Sequence, residues 1–122
     1  MSDDKPHMIL ARKTDELREK IETVETAIES LALGVSAQVS FSVGEALSWQ
    51  KLGGKWSLCV VRDGKDPVAL VSSSRATRVK AVPLFPALIE ALHTAVEHDL
   101  QEVEGALTTI DGFLSAFKVA AE

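Results

Sequence analysis

Cysteine is almost absent from this chain of 122 residues, in which Cys59 is the only one. A single cysteine excludes a disulfide within the chain and any zinc site built from several cysteines. Cys59 lies in the most apolar stretch, LCVV, and no histidine is near it in sequence. We therefore expect a small packed side chain and not a nucleophile.

Long apolar runs and sorting signals are missing as well. The longest uninterrupted apolar runs are only a few residues, so no segment is expected to span a bilayer or to contact a membrane. The start, MSDDKPHMIL, lacks the basic region followed by an apolar region that marks a secretory signal. Residues 1–10 are expected to form a flexible tail, and the cytoplasm is the expected location.

The short motifs of common catalytic and nucleotide-binding sites are also lacking. The serines of SSSR are not part of a G-x-S-x-G motif, and the glycines form neither G-x-G-x-x-G nor a phosphate-binding loop. The sequence therefore predicts a protein without a catalytic residue or a cofactor, which is not an enzyme.

The composition that is present is typical of one globular domain, predicted here over residues 11–122. Hydrophobic residues make up 46% of the chain and charged residues 25%, with a net charge of −5. Residues 1–46 carry 5 basic and 9 acidic groups, residues 47–82 carry 7 and 2, and residues 83–122 carry 1 and 7. A basic centre thus lies between two acidic flanks.

A first amphipathic helix is predicted over roughly residues 11–34, because apolar residues recur there at alternating spacings of four and three. Glu16, Glu19, Glu22, Glu25 and Glu29 are expected on its solvent side. The apolar stripe consists of Leu17, Ile21, Val24, Ile28, Leu31 and Val35.

After this helix the apolar period changes to two, which predicts β-strands. The stretch QVSFSVGEALSWQKL is interpreted as one strand and KWSLCVVR as the next. Gly53-Gly54 predicts a two-residue hairpin turn between them, since glycine tolerates the positive φ that such turns require. The large apolar residues at the odd positions of the first strand are Val39, Phe41, Val43, Leu47 and Trp49.

The hairpin turn and a second turn at residues 63–67 predict an antiparallel meander of three strands. In this register one face collects the large apolar side chains and the other collects small ones, as in a sheet covered by helices on one side. Trp49 is expected to be buried and Trp56, nearer the turn, to be partly covered. The predicted cross-strand pairs are Trp49–Leu58, Leu47–Val60, Lys51–Trp56, Val60–Leu70 and Arg62–Val68.

The segment SSSRATRVKAVP predicts a short helix that ends at Pro83, with an extension of the third strand as the alternative. Pro86 then begins a long helix of about 36 residues, or roughly 54 Å. Because the first helix reaches only about two thirds of that length, an apolar strip at the far end is expected to need a second copy of the chain as cover. The predicted dimer contacts are Leu107, Ile110, Phe113, Leu114 and Phe117.

The stretch EALHTAVEHDLQEVE contains weak candidates for a metal site. Glu90 and His93 have the i, i+3 spacing of carboxylate-bridged di-iron bundles, and Glu97 lies one turn further on. Such a site needs a second pair and two more carboxylates, so a dimer interface would have to complete it. The alternative is that these are surface ion pairs, and no metal is predicted.

The basic centre is the candidate surface for nucleic acid or another polyanion, with phosphate contacts from lysine and arginine and base stacking on an indole. The helix–three strands–helix order resembles that of double-stranded RNA-binding domains, although the lysine-rich start of their last helix is replaced here by VPLFPALIEAL. The acidic flanks favour the alternative that these charges complement the helices of the fold. The candidates are Lys51, Lys55, Trp56, Arg75, Arg78 and Lys80.

The sequence as a whole predicts an α+β fold: an N-terminal helix, a three-stranded antiparallel meander, a short helix and a long C-terminal helix. The function it favours is that of a non-catalytic interaction protein, an adaptor that forms homo-oligomers through its heptad-patterned helices and binds an unidentified protein partner. Polyanion binding and a metal site at a dimer interface remain the alternatives.

Overall fold

The computed structural model describes residues 5–32 and 34–121, and the side chains of all of these except 32 and 119–121. The fold is α+β, with the predicted order of an N-terminal helix, an antiparallel meander, a short helix and a long C-terminal helix. Its elements are α1 (Pro6–Ala32), β1 (Ala37–Ser42), β2 (Glu45–Leu52), β3 (Lys55–Arg62), β4 (Val68–Ala69), α2 (Arg75–Ala81) and α3 (Phe85–Ala121), with short 3₁₀ turns at Leu70–Ser72 and Val82–Leu84.

Helix α1 begins at Pro6, five residues before the predicted start. Proline is well tolerated in a first turn, and the carbonyl of Lys5 accepts hydrogen bonds from the amides of Met8 and Ile9 at 2.9 and 3.1 Å. The predicted tail, residues 1–10, therefore overlaps the helix, while residues 1–4 lie outside the described part. The predicted stripe is confirmed at its centre, where Ile21 and Ile28 are buried.

The four strands form one antiparallel sheet in the order β1-β2-β3-β4. The hairpin at Gly53-Gly54 has the predicted register, which pairs Trp49 with Leu58 and Lys51 with Trp56. Both glycines have positive φ, at 60° and 83°. The two-residue turn, and with it the choice of which side chains share a face, is confirmed.

The stretch predicted as one long strand is instead two strands, β1 and β2, joined by a tight turn at Val43-Gly44. Val43, predicted on the apolar face, is 104% exposed at that turn. A β-bulge between Ser40 and Ser42 shifts the pairing by one residue. As a result Val39 lies opposite Leu47, and odd-numbered residues still pair with odd-numbered ones. The alternation of apolar and small residues therefore continues through the turn, and the sequence pattern does not show that the chain reverses there.

The predicted register of the last strand is wrong by two residues. Val60 lies opposite Val68, not Leu70, and β4 is only two residues long. Leu70 belongs to a 3₁₀ turn and is fully buried, while Val68 is exposed. The Leu70 side chain thus enters the core from a 3₁₀ turn beside the sheet and not from a strand.

The core lies between the large-residue face of the sheet and the helices. Trp49 is 1% exposed and packs at its centre with Leu47, Leu58 and Leu88. The ring of Trp56 stacks on that of Trp49, with centroids 6.2 Å apart and planes at 17°. The opposite face carries small side chains, and Cys59 on that face is buried but is not part of the core cluster.

The short helix α2 is present as predicted, and the hydroxyl of Ser74 caps it by accepting a hydrogen bond from the amide of Thr77 at 3.2 Å. Pro83 lies in a 3₁₀ turn directly between α2 and α3. Helix α3 is anchored by the buried Leu88 and Leu92 in its first two turns. Beyond Val96 the helix leaves the core and is exposed.

Candidate interaction surface

The second half of α3 is covered by none of the described elements. Every residue from Glu97 to Lys118 is exposed, over a helical length of roughly 30 Å. Seven large apolar side chains in this stretch are between 49% and 67% exposed. We call them the distal α3 strip: Leu100, Val103, Leu107, Ile110, Phe113, Leu114 and Phe117.

Six members of the strip have strict heptad spacing. Leucine occupies positions 100, 107 and 114, and Val103, Ile110 and Phe117 occupy the positions three residues after each. This is the a and d pattern of a coiled-coil seam. The seventh member, Phe113, is adjacent to the seam, and its ring stacks on Phe117 with centroids 6.3 Å apart. The strip is therefore continuous and faces one side.

An open notch lies where α3 leaves the core. It has a volume of about 320 Å³, far more than one water molecule needs, and its lining is mostly apolar. Val35 comes from the loop before β1 and the other four residues from α3: Val96, Asp99, Leu100 and Val103. The notch joins the base of the strip to the folded body, and we call it the basal notch.

The predicted dimer contacts all lie on the distal strip, but the strip begins earlier than predicted. The predicted set does not include Leu100 and Val103, because the first helix is expected to cover the start of the long one. The cover ends near Val96, which is half-buried. The unbroken spacing from 96 to 117 is the signal that could have included them.

The charge along the exposed half of α3 is asymmetric. Its base carries four acidic residues, Glu97, Asp99, Glu102 and Glu104. Its far end carries Lys118, which is the only lysine or arginine between residues 81 and 121. The base of the rod is therefore acidic, and its only lysine lies near the far end.

The candidate polyanion-binding residues lie in two groups. Lys51, Lys55 and Trp56 are at the Gly53-Gly54 end of the β2–β3 hairpin. Lys80, on α2, lies beside Glu45 at the other end, six residues along the strand, or roughly 20 Å away. Arg75 and Arg78 are on the same short helix as Lys80. Polyanion binding by the whole set stays a prediction.

Each group has acidic neighbours. Lys80 Nζ lies 3.8 Å from Glu45 and 5.5 Å from the centre of the Phe41 ring. Arg62 Nε donates to the same carboxylate at 3.0 Å. The hydrogen bond from Ser42 and the charges of Lys80 and Arg62 lower the pKa of Glu45. These contacts favour the alternative that the basic centre complements acidic groups of the fold.

The other group lies beside a polar groove between α1 and β3. Lys55 and Trp56 line it on one side and Glu22, Glu25 and Glu29 on the other. Glu25, predicted on the solvent side, is half-buried and accepts a hydrogen bond from the Leu58 amide at 2.8 Å. Desolvation raises the pKa of Glu25, against the lowering effect of that hydrogen bond.

The weak metal candidates lie on the surface of the protein. Glu90, His93 and Glu97 are all exposed. His98, Asp99 and Glu102 come closer together, with the His98 ring nitrogens 3.6 Å from Asp99 and 3.7 Å from Glu102. All three are exposed, and exposed acidic groups are common at protein surfaces without a bound ion.

Cys59 is buried in the sheet, and burial raises the pKa of its thiol to about 11. A thiol that stays protonated at neutral pH is a poor nucleophile.

Within the described residues, one helical segment, Arg75–Lys118, is long and apolar enough to cross a membrane on length and composition alone. Its most apolar 18-residue window has a mean hydropathy of 1.3, and 17% of that window is buried. Uninterrupted apolar runs alone do not reveal this segment. Leu88 and Leu92 of this segment pack in the core of the domain, and the expectation of no membrane contact stays a prediction.

Comparison of the chain with models of known protein families, with curated proteins and with solved structures gave no match. The function must therefore be inferred from the geometry of the surface itself.

Proposed function

We propose that this is a non-catalytic interaction protein that self-associates through the distal α3 strip. The observation that carries the proposal is the half-exposed heptad seam on a helix that extends beyond the elements it packs against. Contiguous apolar surface of this kind is rare on a soluble monomer and marks an interaction site. A second copy of the chain brings an identical seam, which is the partner that heptad patterning selects.

The charges and the anchoring of α3 support the same proposal. The first turns of the helix are fixed by Leu88 and Leu92, so the seam is presented by a rigid rod and not by a loop. Residues beside and behind the seam are polar, acidic or small, which leaves a single apolar side available for burial.

The test is the mass of the protein in solution, measured by light scattering, for the wild type and for Ile110→Glu combined with Leu114→Glu. The wild type is expected to be a dimer and the double variant a monomer, because four buried carboxylates would oppose the seam. The matched control is Thr108→Glu with Ser115→Glu, which adds the same charge to the same helix away from the seam and is expected to leave the dimer intact.

A wild-type protein that is monomeric at all concentrations tested would defeat the proposal. If that monomer cosediments with phosphatidylcholine vesicles, the strip is assigned to a lipid surface. Circular dichroism of each variant establishes that the domain remains folded.

A further inference from the structure

The proposed self-association does not specify whether the two α3 helices run parallel or antiparallel. The residues on the exposed half of α3 favour one of these orientations. From the strip, the basal notch and the charge asymmetry we infer that the two α3 rods pack antiparallel, with the end of each rod in the basal notch of the other copy. This inference rests on the proposed function and specifies its partner surface.

The seam itself has one antiparallel register that buries all of it. Layers of an antiparallel pair combine an a residue of one helix with a d residue of the other. With Leu107 opposite the partner's Ile110, the next layers are Val103 with the partner's Leu114 and Leu100 with the partner's Phe117. A shift by one heptad in either direction leaves part of the strip uncovered.

The same register fills the basal notch. Phe117 of the partner lies against Leu100, which lines the notch together with Val96 and Val103. The notch, at about 320 Å³, has room for an aromatic side chain. Phe113 of the partner, adjacent to the seam, meets the side of α3 that carries the small residue Ala106, so the bulky ring has space.

Charge distinguishes this orientation from the parallel one. In the antiparallel register Lys118 of each copy lies beside the partner's Glu97. These two attractive pairs offset the like-charged pairs between Glu104 and the partner's Asp111. A parallel pair would place Asp99 beside the partner's Glu104 and Lys118 beside the partner's Phe113, with no attractive ion pair.

Disulfide trapping tests the orientation with the full chain. Leu100→Cys and Phe117→Cys are prepared separately, one with a short affinity tag, then mixed and oxidised with oxidised glutathione, so that the three possible dimers separate on a non-reducing gel. The mixed dimer is expected to exceed each same-variant dimer at least about tenfold, because same-variant thiols would lie roughly 25 Å apart along the rod. Cys59 does not compete, because it is buried and its thiol has a pKa of about 11.

Same-variant dimers as the main product would establish a parallel pair and overturn the inference while leaving self-association intact. A protein that is dimeric by light scattering but forms no disulfide would overturn the register. A monomer would defeat the proposed function itself, so the two failures are distinguishable.

A charge exchange gives an independent readout that no loss of folding can imitate. Lys118→Glu is expected to weaken the dimer about two- to fivefold, as for a partly exposed ion pair, and Glu97→Lys in the same chain is expected to restore it. In a parallel pair these residues do not meet, so absence of rescue would contradict the antiparallel arrangement.

Discussion

The carboxylate of Glu25 on α1 accepts a hydrogen bond from the backbone amide of Leu58 on β3, at 2.8 Å and across 33 residues of sequence. Strand β4 pairs only with Cys59 and Val60 of β3, so residues 55–58 of β3 have no neighbouring strand on that side. A side chain from the helix therefore satisfies an amide at the sheet edge, in a place where edge strands otherwise invite pairing with other chains.

This contact predicts a difference between two substitutions of Glu25. Glu25→Gln retains an acceptor oxygen and removes a desolvated charge, so at pH 7 the variant is expected to be as stable as the wild type or more stable. Glu25→Ala removes the acceptor and is expected to lower the free energy of unfolding by about 1–2 kcal/mol. Urea denaturation followed by circular dichroism measures both.

The pH dependence follows from the raised pKa of Glu25. The folded protein holds this proton more tightly than the unfolded chain, so the stability associated with Glu25 is fully present below the unfolded value of 4.5 and is lost as pH rises through the folded pKa. The advantage of Glu25→Gln should therefore disappear as pH falls towards 4.5. A variant less stable than the wild type at pH 7 would show that attraction to Lys55 outweighs desolvation.

Glu45 predicts the opposite dependence, because its pKa is lowered by the hydrogen bond from Ser42 and by Lys80 and Arg62. Its contribution is present above the unfolded value of 4.5 and is lost as pH falls through the lower folded pKa. Glu45→Gln is expected to be less stable than the wild type at pH 7, with a deficit that vanishes on acidification. Glu19→Gln, on the exposed side of α1, serves as the control, and an equal deficit there would contradict a specific role of Glu45.

The two tryptophans predict unequal effects on stability. Trp49 is fully buried, so Trp49→Ala is expected to lower the free energy of unfolding by about 3–5 kcal/mol. Trp56 is only partly buried, and Trp56→Ala is expected to cost clearly less. Unfolding is followed by circular dichroism, because either change removes an indole fluorophore. Equal costs would contradict the placement of Trp49 at the centre of the core.

Gly105 and Gly112 predict a gain. A Cβ atom at either position would meet no atom within 4 Å, and neither glycine has a positive φ. Alanine is therefore expected to stabilise the helix by about 1 kcal/mol at each site without changing the association, since both lie away from the seam. Thermal unfolding and light scattering of the double variant measure the two quantities. A loss of association would place these glycines in an interface.

The sequence reveals local geometry better than it reveals the relations between distant elements. The pairing of Trp49 with Leu58 could be predicted because two glycines and a strict alternation permit one register. The turn at Val43-Gly44 could not, since a bulge keeps the alternation in phase through the reversal. The role of Glu25 depends on which sheet edge α1 meets, and a helical pattern does not contain that information.

The same limit applies to the candidate surfaces. The seam of α3 is a property of one helix, so the spacing of its residues was enough to predict it. The basic residues are close in sequence, but the strand direction of β2 separates Lys51 from Lys80, and only the fold places Glu45 between Lys80 and Arg62. The basal notch joins Val35 to α3, which no local pattern indicates.

Sedimentation equilibrium of the unmodified 122-residue chain over a range of concentrations tests self-association through the distal strip most directly. A mass of twice the 13.1 kDa of the chain, with dissociation on dilution, is the predicted result. A mass equal to that of one chain at every concentration would contradict it.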